Sequence, residues 1–378
     1  MRHRNAFTLT GLLMAIATFA IDLGRPRPTG GDDTIAAAGK NKAAAREWPT
    51  PIPDDCPFLR SARLSGIRLT GRHAQYTVAD YYDTSWAADG NLYAKCGDGA
   101  LESVPLNILN AGIAKIIGDD PLGLLFRYLG DFNSCPDVTN WQSGANTRRY
   151  GCATLVKDGV WYYGLEDGWN TSSDVGVGRF WGFLYSRDFD RVVGSLGEVV
   201  GREFWRLKQN EFWHDPTGQE ARFRPRTFRL GEYPLYPEGE LPPGVGGFFG
   251  EPPNVNRIRN PHFVDFGRYM EWAADDYVYM TCHGSEGPKP PEWANGDSVY
   301  LLRCPARFDD IIWPEGWEFF AGKTAAGGDL WTRDVTAARP LLTWPDRLGH
   351  AYATYNQPLG RFLMCISPLV VNDNEFPE

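Results

Sequence analysis

Alternating apolar and polar positions recur along the chain beside short acidic turns. The segment A-A-D-G-N-L-Y-A-K-C-G-D-G at residues 87–99 is echoed by V-K-D-G-V-W-Y-Y-G-L-E-D-G at 156–168. Two shorter copies follow, A-D-D-Y-V-Y-M-T-C-H-G at 274–284 and L-G-R-F-L-M-C-I-S at 359–367. Asp-Gly between alternating runs is the strongest short signal for a two-residue β-hairpin turn, because both central residues need positive φ. The pattern therefore predicts four hairpins, each the middle of an antiparallel meander.

Long segments with little alternation separate these hairpins. Residues 104–147 and the Pro- and Gly-rich stretch 233–254 are predicted to be inserted loops on the β scaffold, where functional groups usually lie. The clearest helical spacing of apolar residues is at 105–118, which predicts a helix there. Recurrent hairpins without alternating helices predict an all-β fold and favour a β-propeller over a sandwich.

The first 23 residues have the features of a secretory signal peptide. A basic start, M-R-H-R, is followed by a short apolar run and small residues at Ala15, Ala17 and Ala20. This run is too short to span a bilayer. Residues 24–60 are rich in Gly, Ala, Pro and charge and are predicted to be a disordered lead-in, which leaves 61–378 as the propeller domain. We therefore expect a secreted, extracellular protein with no membrane attachment after signal cleavage.

Composition narrows the class of partner. The 378 residues carry a formal charge of −9 with scattered Lys and Arg, so nothing indicates nucleic acid or an anionic membrane. The 14 Trp and 17 Tyr residues suit the faces of neutral sugars, although most are expected in the core. The seven cysteines show no C-x-x-C pair and no nearby His at ligand spacing, so we expect no metal site and no cofactor. One to three disulfides are compatible with export, while Cys96, Cys282 and Cys365 lie in strand-like runs and are expected to be buried thiols.

Several segments together resemble one family. They are the run from Asp80 to Gly99, G-C-A-T-L-V-K-D-G-V-W-Y, H-F-V-D-F-G with D-D-Y-V-Y-M, D-S-V-Y-L-L-R-C-P, W-E-F-F-A-G, W-T-R-D-V and Y-N-Q-P-L-G-R-F-L. In number and order they are similar to the secreted five-bladed β-propeller glycosidases of domain of unknown function 4185, which include endo-D-arabinanases. The resemblance implies a glycoside hydrolase that cleaves a polysaccharide or oligosaccharide. Only 11 residues follow Ser367, so we expect one blade fewer than in the family.

Glycoside hydrolysis normally requires two carboxyl groups, one protonated to release the leaving oxygen and one ionised to attack the sugar or activate water. Asp80 lies nine residues before Asp89 of the first turn, and Asp98 lies eight residues after Gly90. In a tight antiparallel hairpin these two positions meet at the open end. They also match the positions where the resemblance implies the catalytic pair, with the nucleophile and acid/base roles unassigned between them.

The other aspartates of this hairpin have simpler or open interpretations. Asp89 is explained by turn geometry, whereas the role of Asp83 stays open. The alternative interpretation of Asp98 is a turn cap, because Asp167 in the aligned E-D-G segment shows the same residue without evident chemistry.

Six further residues are candidates for substrate binding, each with a structural alternative. They are Trp86, Arg149, His262, Asp297, Tyr355 and Asn356. Arg149 could anchor a sugar hydroxyl or form an ion pair, and Trp86 could form the floor of a subsite or pack in the core. His262, before a strand-like run, is more simply a structural histidine, and Asp297 opens a strand where the family has an acid. Tyr355 and Asn356 precede the P-L-G turn and offer hydrogen bonds to the hydroxyl groups of a sugar.

A glycan-binding propeller without catalysis is the competing interpretation. It would use the same aromatic residues but would not need the pair Asp80 and Asp98. No H-E-x-x-H, P-loop, G-x-G-x-x-G or G-x-S-x-G motif stands in a usable context. Hydrolysis of a glycan and binding of a glycan therefore remain the two interpretations.

Overall fold

The computed structural model describes residues 12–14, 46–48, 52–59, 67–72, 74, 80–97, 112–131, 147–170, 175–186, 249, 254–286 and 295–367. These residues are almost entirely β-structure. The strands are β1 (Leu12–Met14), β2 (Arg46–Trp48), β3 (Ile67–Leu69), β4 (Asp80–Trp86), β5 (Leu92–Gly97), β6 (Gly112–Ile117), β7 (Leu125–Asp131), β8 (Thr147–Lys157), β9 (Val160–Asn170), β10 (Val175–Ser186), β11 (Arg259–Phe263), β12 (Tyr277–Gly284), β13 (Ser298–Pro305), β14 (Glu318–Lys323), β15 (Asp329–Thr332), β16 (Leu342–Thr343), β17 (Gly349–Asn356) and β18 (Arg361–Ser367). The α-helix α1 (Phe308–Ile312) and short 3-10 turns lie in the loops.

Most of the strands form four sheets that follow one another along the chain. Sheet 1 has the order β4-β5-β6-β7 and sheet 2 the order β8-β9-β10, both antiparallel between neighbours. Sheet 3 runs β11-β12-β13-β14-β15, with β16 paired to β13. Sheet 4 holds β17 and β18, with β1 in parallel beside β18. Sheets 1 and 2 and the main path of sheet 3 are meanders, as the repeated hairpins predict, whereas sheet 4 is one hairpin with the parallel strand β1 added.

The first strands of the four meanders and hairpins, β4, β8, β11 and β17, are neighbours. β8 contacts β4 and β11, and β11 contacts β17, while β5 also contacts β8 and β10 also contacts β11. Side chains join the sheets here. Ser85 Oγ on β4 accepts a hydrogen bond from Val156 N on β8 at 2.8 Å, and Thr281 Oγ1 on β12 donates to Ala351 O on β17 at 2.7 Å. This arrangement is an all-β, propeller-like fold, and the fold-class prediction is confirmed. The number of blades stays a prediction.

The four turns differ from one another although their sequences look alike. At 157–160 the predicted two-residue turn is present, with Asp158 at φ 52° and Gly159 at φ 73°. The first hairpin has a three-residue loop, since Ala87 N bonds Asn91 O and only Gly90 in it has positive φ. The third copy is a long loop between β11 and β12, and the fourth closes with four residues between Asn356 and Arg361. The two-residue turn predicted for the two Asp-Gly copies is thus confirmed at 157–160 and wrong for the first hairpin.

The predicted inserted loop at 104–147 contains two strands of sheet 1. Residues 112–117 form β6 and 125–131 form β7, so the helix predicted at 105–118 is wrong for its second half. The run G-I-A-K-I-I pairs with β5, and pairing decides between strand and helix for so short an apolar run. The predicted loop at 233–254 lies outside the described residues except for Phe249 and Asn254.

One large apolar core joins sheets 2, 3 and 4. Its fully buried members include Trp317, Phe183 and Tyr300, and the Trp317 indole donates to Ile311 O at 3.0 Å, which satisfies its only polar atom. Sheet 1 has a smaller core of Ala94, Cys96, Ala114 and Ile116. Burying aromatic side chains of this size is the main stabilising term of such a fold.

Parts of the amino-terminal region lie on this body. Within residues 24–60, the structure describes 46–48, which pair with β3, and 52–59. There Trp344 Nε1 donates to Asp55 Oδ2 at 3.1 Å, and Phe58 packs edge-on against Trp344. The signal peptide at 1–23 stays a prediction. No described helix has the length and apolar character to cross a membrane.

The described cysteines are all unbridged. Cys96 and Cys282 are buried, as predicted, whereas Cys365 is exposed. The prediction for Cys365 is wrong because alternate side chains of an antiparallel strand point to opposite faces, and Met364 and Ile366 take the buried face of β18. Cys135 lies outside the described residues.

Candidate functional site

A cluster of buried polar side chains lies where the first strands converge. Asp83 on β4 is 6% exposed, and its Oδ2 accepts a hydrogen bond from Thr154 N on β8 at 3.1 Å. A second hydrogen bond of 3.1 Å joins the same oxygen to Nδ1 of His262 on β11. Loss of water raises the pKa of the Asp83 carboxyl to about 7, although Lys95 and backbone N–H groups oppose the shift. One carboxyl thus connects three of the four sheets.

Lys95 is the positive partner of this cluster. It lies on β5 with 0% exposure, and its Nζ donates to Gly151 O on β8 at 2.9 Å. Burial lowers the pKa of its ammonium, while the charges of Asp83 and Glu166 favour the charged form. Glu166 on β9 is also fully buried. Burial, followed by the charge of Glu166, raises the pKa of the Cys152 thiol well above its usual value, so this thiol stays protonated.

The histidines of the cluster are neutral near pH 7. The ring of His262 stacks on Tyr352 of β17 with centroids 3.7 Å apart. Burial, helped by the charge of Lys95, lowers the pKa of His262 well below 6.5. Burial also lowers the pKa of His350, with smaller effects from neighbouring His283 and His262. Neutral imidazole keeps one donor and one acceptor, so these rings can hold a proton in place without carrying charge.

Two left-handed residues face each other at the beginning of β11 and β17. Asn260 has φ 45° and His350 has φ 43°, a conformation that side-chain-bearing residues seldom adopt. The Nδ2 of Asn260 lies 3.0 Å from Nδ1 of His350 in a hydrogen bond. Backbone strain of this kind is of the order of 1 to 3 kcal/mol per residue and persists only where neighbouring structure holds it. This pair lies at the same end of the first strands as Asp80, which begins β4.

A second carboxyl of raised pKa lies after β11. Burial raises the pKa of Asp265 to about 6, and the charge of Asp83 adds to the shift, while the hydrogen bond from Gly267 N opposes it. That bond to Asp265 Oδ1 is 2.7 Å, and Asp265 O accepts from Tyr355 N at 2.7 Å. Burial thus moves the titration of Asp83 and Asp265 towards neutral pH, where a carboxyl group can serve as an acid. Among the described residues no group of three or more His, Cys, Asp or Glu is placed to hold a metal ion.

For the predicted catalytic pair, Asp80 and Asp98, the structure describes only the backbone of Asp80. Asp80 is the first residue of β4, and its cross-strand partner is Gly97, the residue before Asp98. A β-bulge between Asp80 and Asp83 thus offsets the register by one residue from a direct pairing of Asp80 with Asp98. Asp98 and the side chain of Asp80 lie outside what the structure describes, so the separation of the two carboxyl groups stays a prediction. The side chain of Arg149 is likewise not described, and its β8 position is opposite Asp167.

The other predicted binding residues do not gather in one place. Trp86 is 42% exposed at the tip of the first hairpin, where its Nε1 donates to Gly90 O at 3.1 Å. Asp297 accepts from Ser285 Oγ at 2.7 Å and from Asp346 N at 3.0 Å, which ties two loops together. Tyr355 packs between Phe266 and Phe362, and Asn356 Oδ1 caps the last turn by accepting from Leu359 N at 3.1 Å. Only His262 lies in the buried cluster.

The sequence carried signals for the residues that were not predicted. Lys95 interrupts an otherwise apolar strand, L-Y-A-K-C, and Glu166 lies in Y-Y-G-L-E-D-G at an inward position of β9. A charged residue within an apolar run is seldom buried without a partner. This rule predicts that Lys95 and Glu166 each have a charged or polar partner. That they lie near each other follows only from the packing of sheet 1 on sheet 2.

Comparison with known proteins gives distant structural likenesses. No family model matches the chain, and no curated protein matches it. The chain is similar to the crystal structure of a proposed hydrolase from Bacteroides ovatus ATCC 8483, with a TM-score of 0.36 and 11% identity, over 73% of this chain and 60% of that one. It is also similar to an exo-1,5-alpha-L-arabinanase from a bovine ruminal metagenomic library, with a TM-score of 0.27 and 13% identity, over 76% and 93% of the two chains. The chain thus spans 60% of the length of the first structure. Scores at this level transfer no activity, and membership of the family named above stays a prediction.

Proposed function

We propose that this protein is a glycoside hydrolase that cleaves a neutral polysaccharide, with an endo-acting D-arabinanase as the nearest analogy. In this proposal Asp80 and Asp98 act on the sugar at the open end of the first hairpin, one as acid/base and the other as nucleophile or water-activating base. Export by the predicted signal peptide would bring the enzyme to an extracellular glycan.

The observation that carries the proposal is the buried carboxyl of Asp83. It lies on the same first strand as Asp80, three residues further on, and its pKa of about 7 stands well above the ordinary 3.8. Strongly perturbed carboxyl groups at the convergence of a scaffold are typical of functional sites. Since Asp83 also bonds His262 and Thr154, it is a positioning residue in this proposal, holding β4 against β8 and β11 behind the reacting pair.

The test is release of reducing ends from arabinan, arabinogalactan and mixed plant or fungal glycans. We expect release by the wild-type protein and a loss of at least about 100-fold in Asp80→Asn and Asp98→Asn, the scale of removing one acid/base group. Asp119→Asn, on the exposed loop after β6, is the matched control and should retain full activity. Unchanged release in both variants would remove the two aspartates from the mechanism.

A glycan-binding propeller without catalysis is the second candidate, and the exposed ring of Trp86 favours it. Flat aromatic faces bind sugars without any acid/base pair. The same experiment separates the two candidates, because a lectin would bind these glycans, release no reducing ends and bind equally well after Asp80→Asn or Asp98→Asn.

A further inference from the structure

Three exposed aromatic residues lie on one surface at the carboxyl end of the first strands. Trp86 is 42% exposed, Tyr269 is 42% exposed and Trp272 is 46% exposed. Trp86 ends β4, whereas the other two lie in the loop between β11 and β12. This end of the strands is opposite to the end where Asp80 begins β4. We call these three residues together with Arg268 the aromatic strip.

Contacts through Gly90 and Gly267 make the strip continuous. The Trp86 indole donates to Gly90 O, and the Arg268 guanidinium lies 3.8 Å from the position that a Cβ on Gly90 would occupy. Arg268 also donates to Ala88 O at 2.8 Å. The Trp272 ring lies over Gly267, so close that a Cβ there would stand 2.7 Å from Cδ1. The loop of sheet 3 therefore lies directly on the hairpin of sheet 1.

The loop is held in a strained shape that turns its rings outward. Tyr269 and Met270 are successive residues with φ 55° and 59°, an arrangement that residues with side chains avoid. Phe266 and Met270 are buried in the core on either side of Tyr269, and Trp272 N bonds back to Phe266 O at 3.1 Å. The Tyr269 hydroxyl donates to Asp158 Oδ1 at 2.6 Å on the hairpin of sheet 2. Three sheets thus fix the ring positions, so binding would require little further ordering of the loop.

The polar edges of two of the rings, those of Trp86 and Tyr269, are already bonded, and charges of both signs lie near the strip. Lys157 and Asp158 form an ion pair at 3.0 Å, and Lys157 Nζ lies 5.7 Å from the Tyr269 ring centre. The exposed Arg268 is offset by exposed Glu271. Nucleic acid and anionic membranes are bound by basic surfaces, which this is not. Flat rings in a neutral polar surround suit the apolar faces of an uncharged sugar chain.

We propose that the aromatic strip is a second glycan-binding site, separate from the hydrolytic site, which holds a neutral polysaccharide chain on the opposite surface of the propeller. The inference rests on the proposed function for the class of its ligand. It adds a site at which a long substrate is retained without being cleaved.

Affinity electrophoresis in gels containing linear arabinan or arabinogalactan tests the proposal, with polygalacturonate gels as the anionic comparison. We expect the wild-type protein to be retarded by the neutral glycans. The triple variant Trp86→Ala, Tyr269→Ala, Trp272→Ala should lose roughly 10-fold or more in affinity, since one ring contact contributes a factor of roughly 2 to 10. Leu125→Ala and Leu330→Ala, which remove exposed apolar side chains elsewhere, should retain full affinity.

Activity on a short oligosaccharide separates this proposal from the function proposed above. A chain too short to reach both surfaces should be cleaved by the double variant Tyr269→Ala, Trp272→Ala as by wild type, whereas failure of the hydrolase proposal would show as no cleavage by either. The conservative variant Trp86→Phe, Trp272→Phe replaces two indole rings by phenyl rings and leaves Tyr269 unchanged. It should bind with intermediate affinity, which guards against a folding defect. Unchanged retardation of the triple variant, retardation by polygalacturonate alone, or absence of retardation in wild type would each overturn the proposal. A dimer that dissociates in the triple variant on sedimentation would also overturn it, because a second copy would then cover the strip.

Discussion

Replacing Asp83 by Asn tests the electrostatics of the buried cluster through the pH dependence of stability. The pKa of Asp83 is raised from 3.8 to about 7 by burial. Between these values the folded chain holds a proton that the unfolded chain has released, so wild-type stability falls as pH rises. The contribution is fully present below the unfolded pKa of 3.8 and is lost as pH rises through about 7. Asn cannot titrate, and its amide oxygen can still accept from Thr154 N.

The size of the effect follows from the pKa shift. Each pKa unit corresponds to about 1.4 kcal/mol, so the whole shift is worth about 4 kcal/mol. Because the transition at about 7 is gradual, we expect the difference in unfolding free energy, variant minus wild type, to rise by about 2 kcal/mol between about pH 5 and pH 7. The variant thus gains stability relative to wild type with rising pH, whatever constant offset the lost hydrogen bond to His262 adds.

Urea unfolding at several pH values, followed by tryptophan fluorescence, measures this difference. Asp89→Asn on the same hairpin is the matched control, because hydrogen bonds from Lys115 and Asn91 outweigh burial and lower the pKa of Asp89 to about 2. Its contribution is lost only as pH falls through about 2, so its difference from wild type should stay level between about pH 5 and pH 7. A pH-independent difference for Asp83→Asn would refute the assignment of a buried, protonated carboxyl.

Three further substitutions test the packing around the site and the core. Lys95→Met removes the buried ammonium that donates to Gly151 O and interacts with Asp83 and Glu166, and it should cost about 3 to 5 kcal/mol in urea unfolding. Arg333→Met at an exposed position should change stability by less than about 0.5 kcal/mol. Equal effects would contradict the buried network. Gly151→Ala would place a Cβ 2.2 Å from the Tyr163 hydroxyl and should lower the free energy of unfolding by about 1 to 3 kcal/mol. The control Gly159→Ala meets nothing within 4 Å but has φ 73°, so it should cost roughly 1 kcal/mol. The reverse order of the two losses would show that Tyr163 moves away from the new Cβ. Trp317→Ala should cost about 3 to 5 kcal/mol in calorimetry or chemical unfolding, and a smaller loss than for Gly159→Ala would mean that the core collapses around the vacancy.

The meanders could be predicted from sequence because their signals are local. Lys157, Asp158, Gly159 and Val160 specify one tight turn by themselves, and the alternation on either side then sets the register of β8 on β9. The strand β6 could not be predicted in this way, since G-I-A-K-I-I is compatible with a helix until β5 pairs with it. The pairing with β5 determines that this segment is a strand, and no local sequence signal indicates that pairing.

The buried cluster could be predicted only in part, for a related reason. Asp83 and His262 are 179 positions apart, and only the convergence of sheets 1 and 3 brings them together. The hairpin of β4 and β5 could be predicted because it depends on one turn, but the bulge that pairs Asp80 with Gly97 could not. The role of Asp83 stayed open, because nothing near it along the chain shows that Thr154, Lys95 and His262 lie around it.

The hydrogen bonds from β8 to Asp83 and Ser85 depend on side chains of β4 but only on the backbone of β8. Both donors are peptide N–H groups, of Thr154 and Val156, and every amino acid except proline supplies one. Drift in the side chains of β8 therefore leaves the joint between the two sheets intact, whereas replacing either acceptor on β4 removes a rung of it. The joint between β8 and sheet 1 therefore depends on the side chains of sheet 1, Asp83 and Ser85 on β4 and Lys95 on β5, which donates to Gly151 O.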